Sequence, residues 1–439
     1  MLRLITPLLT ALLSLPANAA DIQSVTYPNG LKLIVEEDHA APVAMVQVWL
    51  SVGGRDELPG KTGLAHVFEH MMFKGSDRLK PGDFSERIAA MGGEDNAFTS
   101  TDYTAYFESV PAAHVPEVLT LEAERFGHLK LDAAEFAREI EVIKEERRMR
   151  TEDDPNSHMI EELSAAALRL HPYRNPVIGW MQDLERLTID DVRDFYRQHY
   201  VAANATVVVV GDVSFAEVEK AVARSFGKLP KRPQSVRFNP VEPAPLGPKR
   251  VTVRLPAQLP LLVVVMPVPA WQPGQNDADC AALAVATHIL AGGRTARLQR
   301  EVVEKQRLAF DSGANYDPFA MGLDLWSGYG ALGPAQESDK FEAAFWREIE
   351  RLGREGPSGE ELAASKRNLV AAAIFSRDSL YLRAKLIGSF EATGIGAEHR
   401  NQWLTHVRKV SADDVKRVVG RWLRPELATS GLLEPEAKR

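Results

Sequence analysis

The pattern of apolar and polar positions along the chain repeats a coarse order of elements. β-branched and aromatic residues predict strands at 43–52 and 261–268. An apolar stretch with helical spacing follows each strand, at 64–75 and 282–293. Similar segments precede the last helix of each half, LTIDDV at 187–192 and VSADDV at 410–415. The repetition predicts a pair of homologous domains.

Further elements and a boundary follow from the same pattern. Helices are predicted at 84–91, 132–150 and 187–200, and strands at 94–107 and 205–210. The segment 230–249 contains six prolines, few apolar residues and no periodicity. Such a segment predicts a linker. We therefore divide the chain into a domain at 21–229, a linker at 230–249 and a second domain at 250–439.

Residues 1–20 have the pattern of a secretory signal peptide. Arg3 supplies a positive charge, residues 4–15 are mostly apolar, and Ala17-Asn18-Ala19 has the small residues of a cleavage site. The apolar run is shorter than the ~20 residues that a membrane span needs, and no later stretch is apolar enough for one. Cys280 is the only cysteine, so no internal disulfide is expected. We expect an exported protein of the bacterial periplasm.

Composition places the chain among globular proteins and narrows the class of its partners. Of the 439 residues, 45% are hydrophobic and 26% are charged, which is enough apolar material for two cores. The net charge of −8 at pH 7 argues against nucleic acid as a partner. Composition alone defines no substrate preference.

The helix predicted within 64–75 carries three polar groups on one face. His66, Glu69 and His70 stand at positions i, i+3 and i+4. Two imidazoles one turn apart can bind one Zn²⁺ at about 2.0–2.1 Å, and the carboxylate beside them can take a proton from water. The order His-x-x-Glu-His is the inverted form of the commoner zinc motif. The alternative is an ordinary polar surface patch, which the apolar surroundings disfavour because burying these groups without a shared partner is costly.

Two more carboxylates lie on the long helix predicted at 132–150. Glu139, Val142, Glu146 and Met149 form one continuous stripe at helical spacing. Glu146 is therefore the candidate third zinc ligand, and Glu139 is a supporting group or an alternate ligand. In the alternative interpretation, both carboxylates simply pair with nearby arginines.

The strand predicted at 94–107 begins with polar residues. Its start suits an exposed sheet edge that pairs with an extended peptide. A plain sheet strand with a polar outer face is the alternative, and the pattern alone favours that alternative.

The second copy of the motif helix lacks the metal-binding groups. When 282–293 is laid on 64–75, the functional positions pair as His288 with His70, Ala284 with His66, and Thr287 with Glu69. We therefore expect no metal site in the second domain and a structural role for His288.

The motif helix, the downstream carboxylates, the Asn-Ala-x-Thr segment at 96–99 and the duplication together resemble the pitrilysin family of metallopeptidases. That family includes insulin-degrading enzyme and the mitochondrial processing peptidase, and the chain looks like its smaller bacterial branch. The resemblance covers essentially the whole mature chain. The 75 residues between His70 and Glu146 and the segment His171-Pro172-Tyr173 also fit the family.

The resemblance implies a fold, a site and an activity. Each domain is expected to be α+β, an antiparallel sheet packed with helices, and two domain pairs are expected to close like a clam shell around a chamber. The implied residues are His66, His70 and Glu146 for Zn²⁺, Glu69 as general base, Glu139 as support, and Asn96 and Ala97 for hydrogen bonds to the substrate backbone. The implied activity is hydrolysis of peptides or unfolded segments that can enter the chamber.

One region departs from the family pattern. The family completes its site with an Arg, and a Tyr seven residues later, from the half without metal; here the matching positions are Val303 and Phe310. Arg297, Arg300 and Arg307 lie nearby without the family's spacing. Losing one donor to an oxyanion typically costs about 10²–10³ in rate.

The departure suggests that the chain is the zinc-bearing subunit of a heterodimer. A related partner without the zinc motif would then supply the Arg and the Tyr, and a homodimer is the alternative. The rival function is a zinc-stabilised subunit that binds peptides or acts as a scaffold without cutting them.

Overall fold

The computed structural model describes residues 22–333 and 337–436. The predicted signal peptide at 1–20 lies outside these residues. Six strands form the sheet of the first half in the order β1-β2-β6-β3-β5-β4. They are β1 (Gln23–Thr26), β2 (Lys32–Glu37), β3 (Val43–Leu50), β4 (Glu94–Thr99), β5 (Thr104–Pro111) and β6 (Ala205–Gly211).

Five strands form the sheet of the second half in the order β7-β11-β8-β10-β9. They are β7 (Lys249–Leu255), β8 (Leu261–Pro269), β9 (Asp311–Asn315), β10 (Leu323–Ala331) and β11 (Thr429–Pro435). This order matches β2-β6-β3-β5-β4 of the first half strand for strand. The matching order confirms the α+β fold with two homologous sheet domains.

The sheets are mainly antiparallel, as expected, but each contains one parallel pair that the sequence analysis did not predict. In the first sheet β6 pairs in parallel with β2, and in the second β11 pairs in parallel with β7. The remaining pairs are antiparallel. In both halves the last strand of the sheet follows a long helical excursion, and such a crossover is what permits a parallel pair.

Eight helices belong to the first half and six to the second, within the described residues. The first eight are α1 (Leu64–Met71), α2 (Asp83–Ala90), α3 (Val115–Gly127), α4 (Ala133–Arg147), α5 (Pro155–Ala167), α6 (Met181–Leu184), α7 (Ile189–His199) and α8 (Phe215–Arg224). The other six are α9 (Asp277–Ala291), α10 (Ser338–Glu355), α11 (Gly359–Phe375), α12 (Leu380–Ala392), α13 (Gln402–Lys409) and α14 (Ala412–Trp422). Short π-helical segments occur at Arg148–Glu152 and Leu298–Lys305.

The repeated sequence segments LTIDDV and VSADDV have the same structural role. Thr188 begins α7 and Ser411 begins α14, each through a reciprocal capping box with the Asp three residues later. The box satisfies free backbone amides at a helix start, which explains why both halves carry the same residue types there.

One helix from each half packs against the sheet of the other half. Met159 and Leu163 of α5 pack against Val263 and Val265 of the second sheet. Conversely, α12 packs on the first sheet, with Gly388 so close to Trp49 that an added Cβ would lie 2.1 Å from the indole. Residues 229–248 contain no regular element. The two halves are therefore sequential along the chain and interlocked in space.

A hydrogen-bonded cluster also joins the two halves behind α1. The Tyr173 hydroxyl donates to the Asp102 carboxylate at 2.6 Å. The Met321 amide of the second half donates to Asp102 at 3.1 Å, and Arg55 donates to the Met321 carbonyl at 2.9 Å. This cluster gives the His171-Pro172-Tyr173 segment a structural role at the contact between the halves.

The region predicted as one strand at 94–107 is a hairpin. Its two strands, β4 and β5, are joined by a turn at residues 100–103, and Ala97 pairs with Tyr106 across it. In sheet order β4 lies at the edge, with β5 as its neighbour. Within the described residues, no helix has the length and apolar character to cross a membrane.

Candidate metal centre

Helix α1 buries an apolar face and turns its polar face toward a cleft. Leu64, Val67, Phe68 and Met71 belong to the main core of the first half. The helix starts at Gly63, whose φ of +90° is the left-handed conformation that glycine adopts without strain. The opposite face carries the histidines and the glutamate of the motif. The apolar face therefore fixes the rotation of the helix, so that the motif points away from the core.

His66, His70 and Glu146 converge, as the sequence analysis predicted. The Nε2 atoms of the histidines lie 3.8 and 3.5 Å, respectively, from Glu146 Oε2. One donor atom from each residue can be chosen so that all three lie within 4.8 Å of one another. Tetrahedral bonds of about 2.0–2.1 Å to Zn²⁺ place donor atoms roughly 3.4 Å apart, so the set fits this metal.

The protonation of His66 suits a metal ligand. Burial, together with the nearby charges of His70 and Arg150, lowers the pKa of His66 to about 3. The imidazole is therefore neutral at neutral pH, and a neutral ring nitrogen is what a metal needs. Only 12% of the His66 side chain is exposed.

Glu139 contacts the ring nitrogen of His70 that faces away from Glu146. Its Oε2 lies 3.2 Å from His70 Nδ1, and Lys74 Nζ lies 2.6 Å from its other oxygen. A carboxylate on Nδ1 fixes the ring orientation and leaves Nε2 free for a metal. The alternative that both glutamates pair with nearby arginines holds only for one oxygen of Glu146, whose Oε1 lies 2.7 Å from Arg150, since the cation beside Glu139 is Lys74. The remaining oxygens face the histidines.

Glu69 lies beside this cluster and has its own partner. The Thr99 hydroxyl donates a hydrogen bond to Glu69 Oε2. Burial raises the pKa of Glu69, and the hydrogen bond from Thr99 acts in the opposite direction. A carboxylate with a raised pKa is a better proton acceptor, which suits a general base. Thr99 belonged to the Asn-Ala-x-Thr segment, but no local pattern indicated that it would contact Glu69.

The edge strand β4 and helix α4 form opposite walls of the cleft. The cleft has a volume of about 880 Å³ and includes Asn96 and Ala97 on one wall. Val142 and Met149 of the other wall are 51% and 60% exposed, although they share a stripe with the two glutamates. A smaller hollow of about 220 Å³ adjoins it beside Lys74. An extended chain lying along β4 would thus pass directly over the polar face of α1.

The second half contributes none of the described residues that line these two hollows. Val303 packs against the core of the second half, and Phe310 is 63% exposed. Arg297, which is close to Val303 in the sequence, is buried and donates to Glu361 at 2.7 Å. His288 bonds Ser365 Oγ at 3.1 Å, in keeping with the structural role expected for it.

Fold and site together define a duplicated α+β protein in which an inverted His-x-x-Glu-His motif meets one carboxylate, Glu146, from a second helix. The chain belongs to the insulinase family of peptidases, M16. Residues 32–180 match the family description "Insulinase (Peptidase family M16)", and residues 186–369 match "Peptidase M16 inactive domain". Membership confirms the resemblance to the group that includes insulin-degrading enzyme and the processing peptidases.

Bacterial relatives carry zinc-protease names. An uncharacterised zinc protease of Mycobacterium leprae is 31% identical over 74% of this chain and 72% of its own length. The zinc protease PqqE of Helicobacter pylori is 35% identical over 65% of this chain and 65% of its own length. The crystal structure of a protease from Helicobacter pylori superposes with a TM-score of 0.89 at 28% identity, covering 95% of this chain and 100% of that one.

Proposed function

We propose that the protein is a zinc endopeptidase in which His66, His70 and Glu146 hold Zn²⁺. The observation that carries the proposal is the convergence of these three donors beside a carboxylate, Glu69, and an open strand edge. The zinc-protease names of the relatives support the same reading. A structural zinc site would need neither a base nor a free coordination position, so the Glu69 arrangement favours catalysis.

The chain's own residues divide the work of peptide hydrolysis. When bound, Zn²⁺ supplies Lewis acidity, which lowers the pKa of a water toward 7 and polarises a carbonyl. Glu69 accepts a proton from the attacking water as its oxygen bonds to the carbonyl carbon. Glu69 then gives that proton to the nitrogen as the C–N bond breaks, so the products are an acid and an amine. Glu139 keeps His70 oriented throughout.

Strand β4 is the proposed support for the substrate backbone. An extended peptide can pair with the free edge at Asn96 and Ala97, which positions one peptide bond over α1. Because backbone pairing is independent of sequence, substrates are expected to be peptides or unfolded segments. Folded proteins would be excluded if two domain pairs close around a chamber, as the resemblance implies.

A partner subunit is the second part of the proposal. Val303 and Phe310 carry neither the charge nor the hydroxyl that the family uses to stabilise the oxyanion, and Arg297 is committed to Glu361. A related subunit without the zinc motif would complete the site, or a second copy would do so in a homodimer. Export to the periplasm rests on the pattern of residues 1–20 and remains a prediction.

A non-catalytic peptide-binding or scaffold role is the second candidate. It is favoured by the one-sided cleft, whose described lining comes from the first half alone. On that view Zn²⁺ would stabilise α1 against α4, and β4 would bind peptides without cleavage.

Cleavage of a quenched, unstructured peptide by the purified mature chain tests both candidates. Glu69→Gln should keep Zn²⁺ and reduce turnover by about 10²–10⁴-fold, the usual contribution of a general base. Glu145→Gln is the matched control, since Glu145 lines the same cleft and pairs outward with Arg148. Equal turnover in wild type and Glu69→Gln would contradict the mechanism. Zinc binding without turnover, even with a related subunit carrying the Arg and Tyr, would favour the scaffold role.

A further inference from the structure

The start of helix α1 is held by a side chain from outside the helix. Gly63 has no side chain with which to cap the free amides of the first turn. Glu57 supplies the cap instead: its Oε2 accepts from the Gly63 amide at 2.8 Å and its Oε1 accepts from the Ala65 amide at 2.7 Å. One carboxylate therefore bridges two amides in the turn that leads directly into His66.

Glu57 itself is held on a fixed support. The preceding residue, Asp56, receives two hydrogen bonds from Arg237, at 3.0 and 2.9 Å, and also accepts from the Gly53 amide at 3.0 Å. Arg55 is buried and donates to the Met321 carbonyl of the second half. The segment that carries Glu57 is thus anchored to the linker and to the second half.

The consequence for the metal centre follows from the length of α1. A helix of eight residues has little stability of its own, so contacts at its end decide where it lies along its axis. His66 and His70 must meet Glu146, which comes from a different helix, with donor distances of 3.5–3.8 Å. A shift of the first turn would move both imidazoles relative to that carboxylate.

We propose that Glu57 is a positioning residue for the metal centre, which sets zinc affinity by bridging the Gly63 and Ala65 amides. The proposal rests on the proposed function only in that the three donors bind Zn²⁺. It does not depend on peptide cleavage.

The test is the dissociation constant for Zn²⁺ of the purified mature chain, measured by competition with a chromophoric chelator. Glu57→Gln keeps the size of the side chain but replaces one of the two acceptor oxygens with an NH₂ group, which cannot accept from an amide. We expect it to bind Zn²⁺ about 10–100-fold more weakly, the range typical of groups that orient metal ligands. Glu57→Ala should weaken binding further.

Asp414→Asn is the matched control. It weakens a carboxylate that caps helix α14 of the second half, where Asp414 accepts from the Ser411 amide at 3.0 Å, and so lowers stability without touching α1 or its support. We expect its zinc dissociation constant to stay within about twofold of wild type. At saturating Zn²⁺, Glu57→Gln should lower kcat and leave KM unchanged, because Glu69 lies on α1 whereas the peptide lies along β4.

The outcomes separate this proposal from the proposed function. Wild-type affinity in Glu57→Gln, or an equal loss in Asp414→Asn, would overturn the positioning role while leaving the peptidase proposal intact. A wild-type chain that binds Zn²⁺ and cleaves nothing would overturn the peptidase proposal alone. A wild-type chain that fails to bind Zn²⁺ would overturn both.

Discussion

The two halves of the chain share a sheet topology and differ in how one helix is surrounded. In the first half α1 has eight residues, with one face in the core and one along the cleft. In the second half α9 has fifteen residues, and nine of them are buried. A helix that is enclosed on most sides has no face left for a substrate, whatever residues it carries.

In the second half, the residues of α9 that align with the polar residues of α1 make packing and hydrogen-bond contacts within the core. At the position of Glu69 stands Thr287, which accepts a hydrogen bond from Trp326 at 2.8 Å and donates one to the Leu283 carbonyl at 2.8 Å. At the position of Lys74 stands Gly292, where an added Cβ would lie 2.4 Å from the His288 ring. The metal centre therefore depends on two features of the first half, an exposed face of α1 and carboxylates that are paired with cations. The second half has the same sheet topology but has neither feature at α9.

Replacing the two aligned histidines is the strongest test of this difference. His70→Ala removes a metal ligand, so zinc affinity should fall by more than the roughly 100-fold upper range for groups that only orient ligands. His288→Ala removes the hydrogen bond to Ser365, which should lower the free energy of unfolding by about 0.5–1.5 kcal/mol. Metal analysis after gel filtration measures the first, and urea unfolding the second. Zinc loss in His288→Ala would contradict the assignment of metal binding to the first half and of a structural role to His288.

The next test compares the groups behind these histidines. Glu139→Gln keeps the shape beside His70 but loses the charge shared with Lys74, so zinc should bind about 10–100-fold more weakly. Ser365→Ala removes the corresponding contact of His288 and should leave zinc affinity unchanged. Chelator competition on both variants measures the difference. If Glu139→Gln kept the wild-type affinity for Zn²⁺, Glu139 would only fill space beside His70 and would not orient its ring.

Part of this site was readable from the sequence because its geometry is local. The spacing of His66, Glu69 and His70 fixes them on one helix face, and the stripe that contains Glu146 fixes it on another. The stripe made Glu146 a candidate third ligand, and the family resemblance supported the pairing of the two helices, since spacing along a chain does not show which helices meet. The resemblance also predicted an antiparallel sheet in each domain, which holds apart from the single parallel pairs of β6 and β11.

What the sequence could not show depends on contacts between distant residues. Glu57 and Thr99 act through hydrogen bonds to α1 that no periodicity encodes. The turn at 100–103 was missed because Thr101 and Tyr103 within it have strand propensity, although Ser100 and Asp102 favour turns. The exchange of α5 and α12 between the halves was equally hidden, because an amphipathic pattern shows that a face is buried and not against which sheet.

The surroundings of individual carboxylates in the two halves give the last comparison and the smallest expected effect. Glu139 and Glu146 each face a cation, whereas Asp324 of the second half is surrounded by the charges of Asp317 and Asp102. Burial and these like charges raise the pKa of Asp324 to about 7, against about 3.9 for an unperturbed aspartate. The folded chain therefore holds a proton that the unfolded chain releases, so this contribution to stability is lost as the pH rises through 7.

Between pH 6 and 8 the free energy of unfolding should fall by about 1.4 kcal/mol more in wild type than in Asp324→Asn, which has no proton to lose. Urea unfolding across this range, with Zn²⁺ held in excess, measures the difference. Asp311→Asn, an exposed position on the edge strand of the same sheet, should follow the wild-type curve. Parallel curves for wild type and Asp324→Asn would show that Asp324 is ionised in the fold. The two halves would then differ only in the surroundings of α1 and α9, because Asp324 would carry a buried charge as Glu139 and Glu146 do.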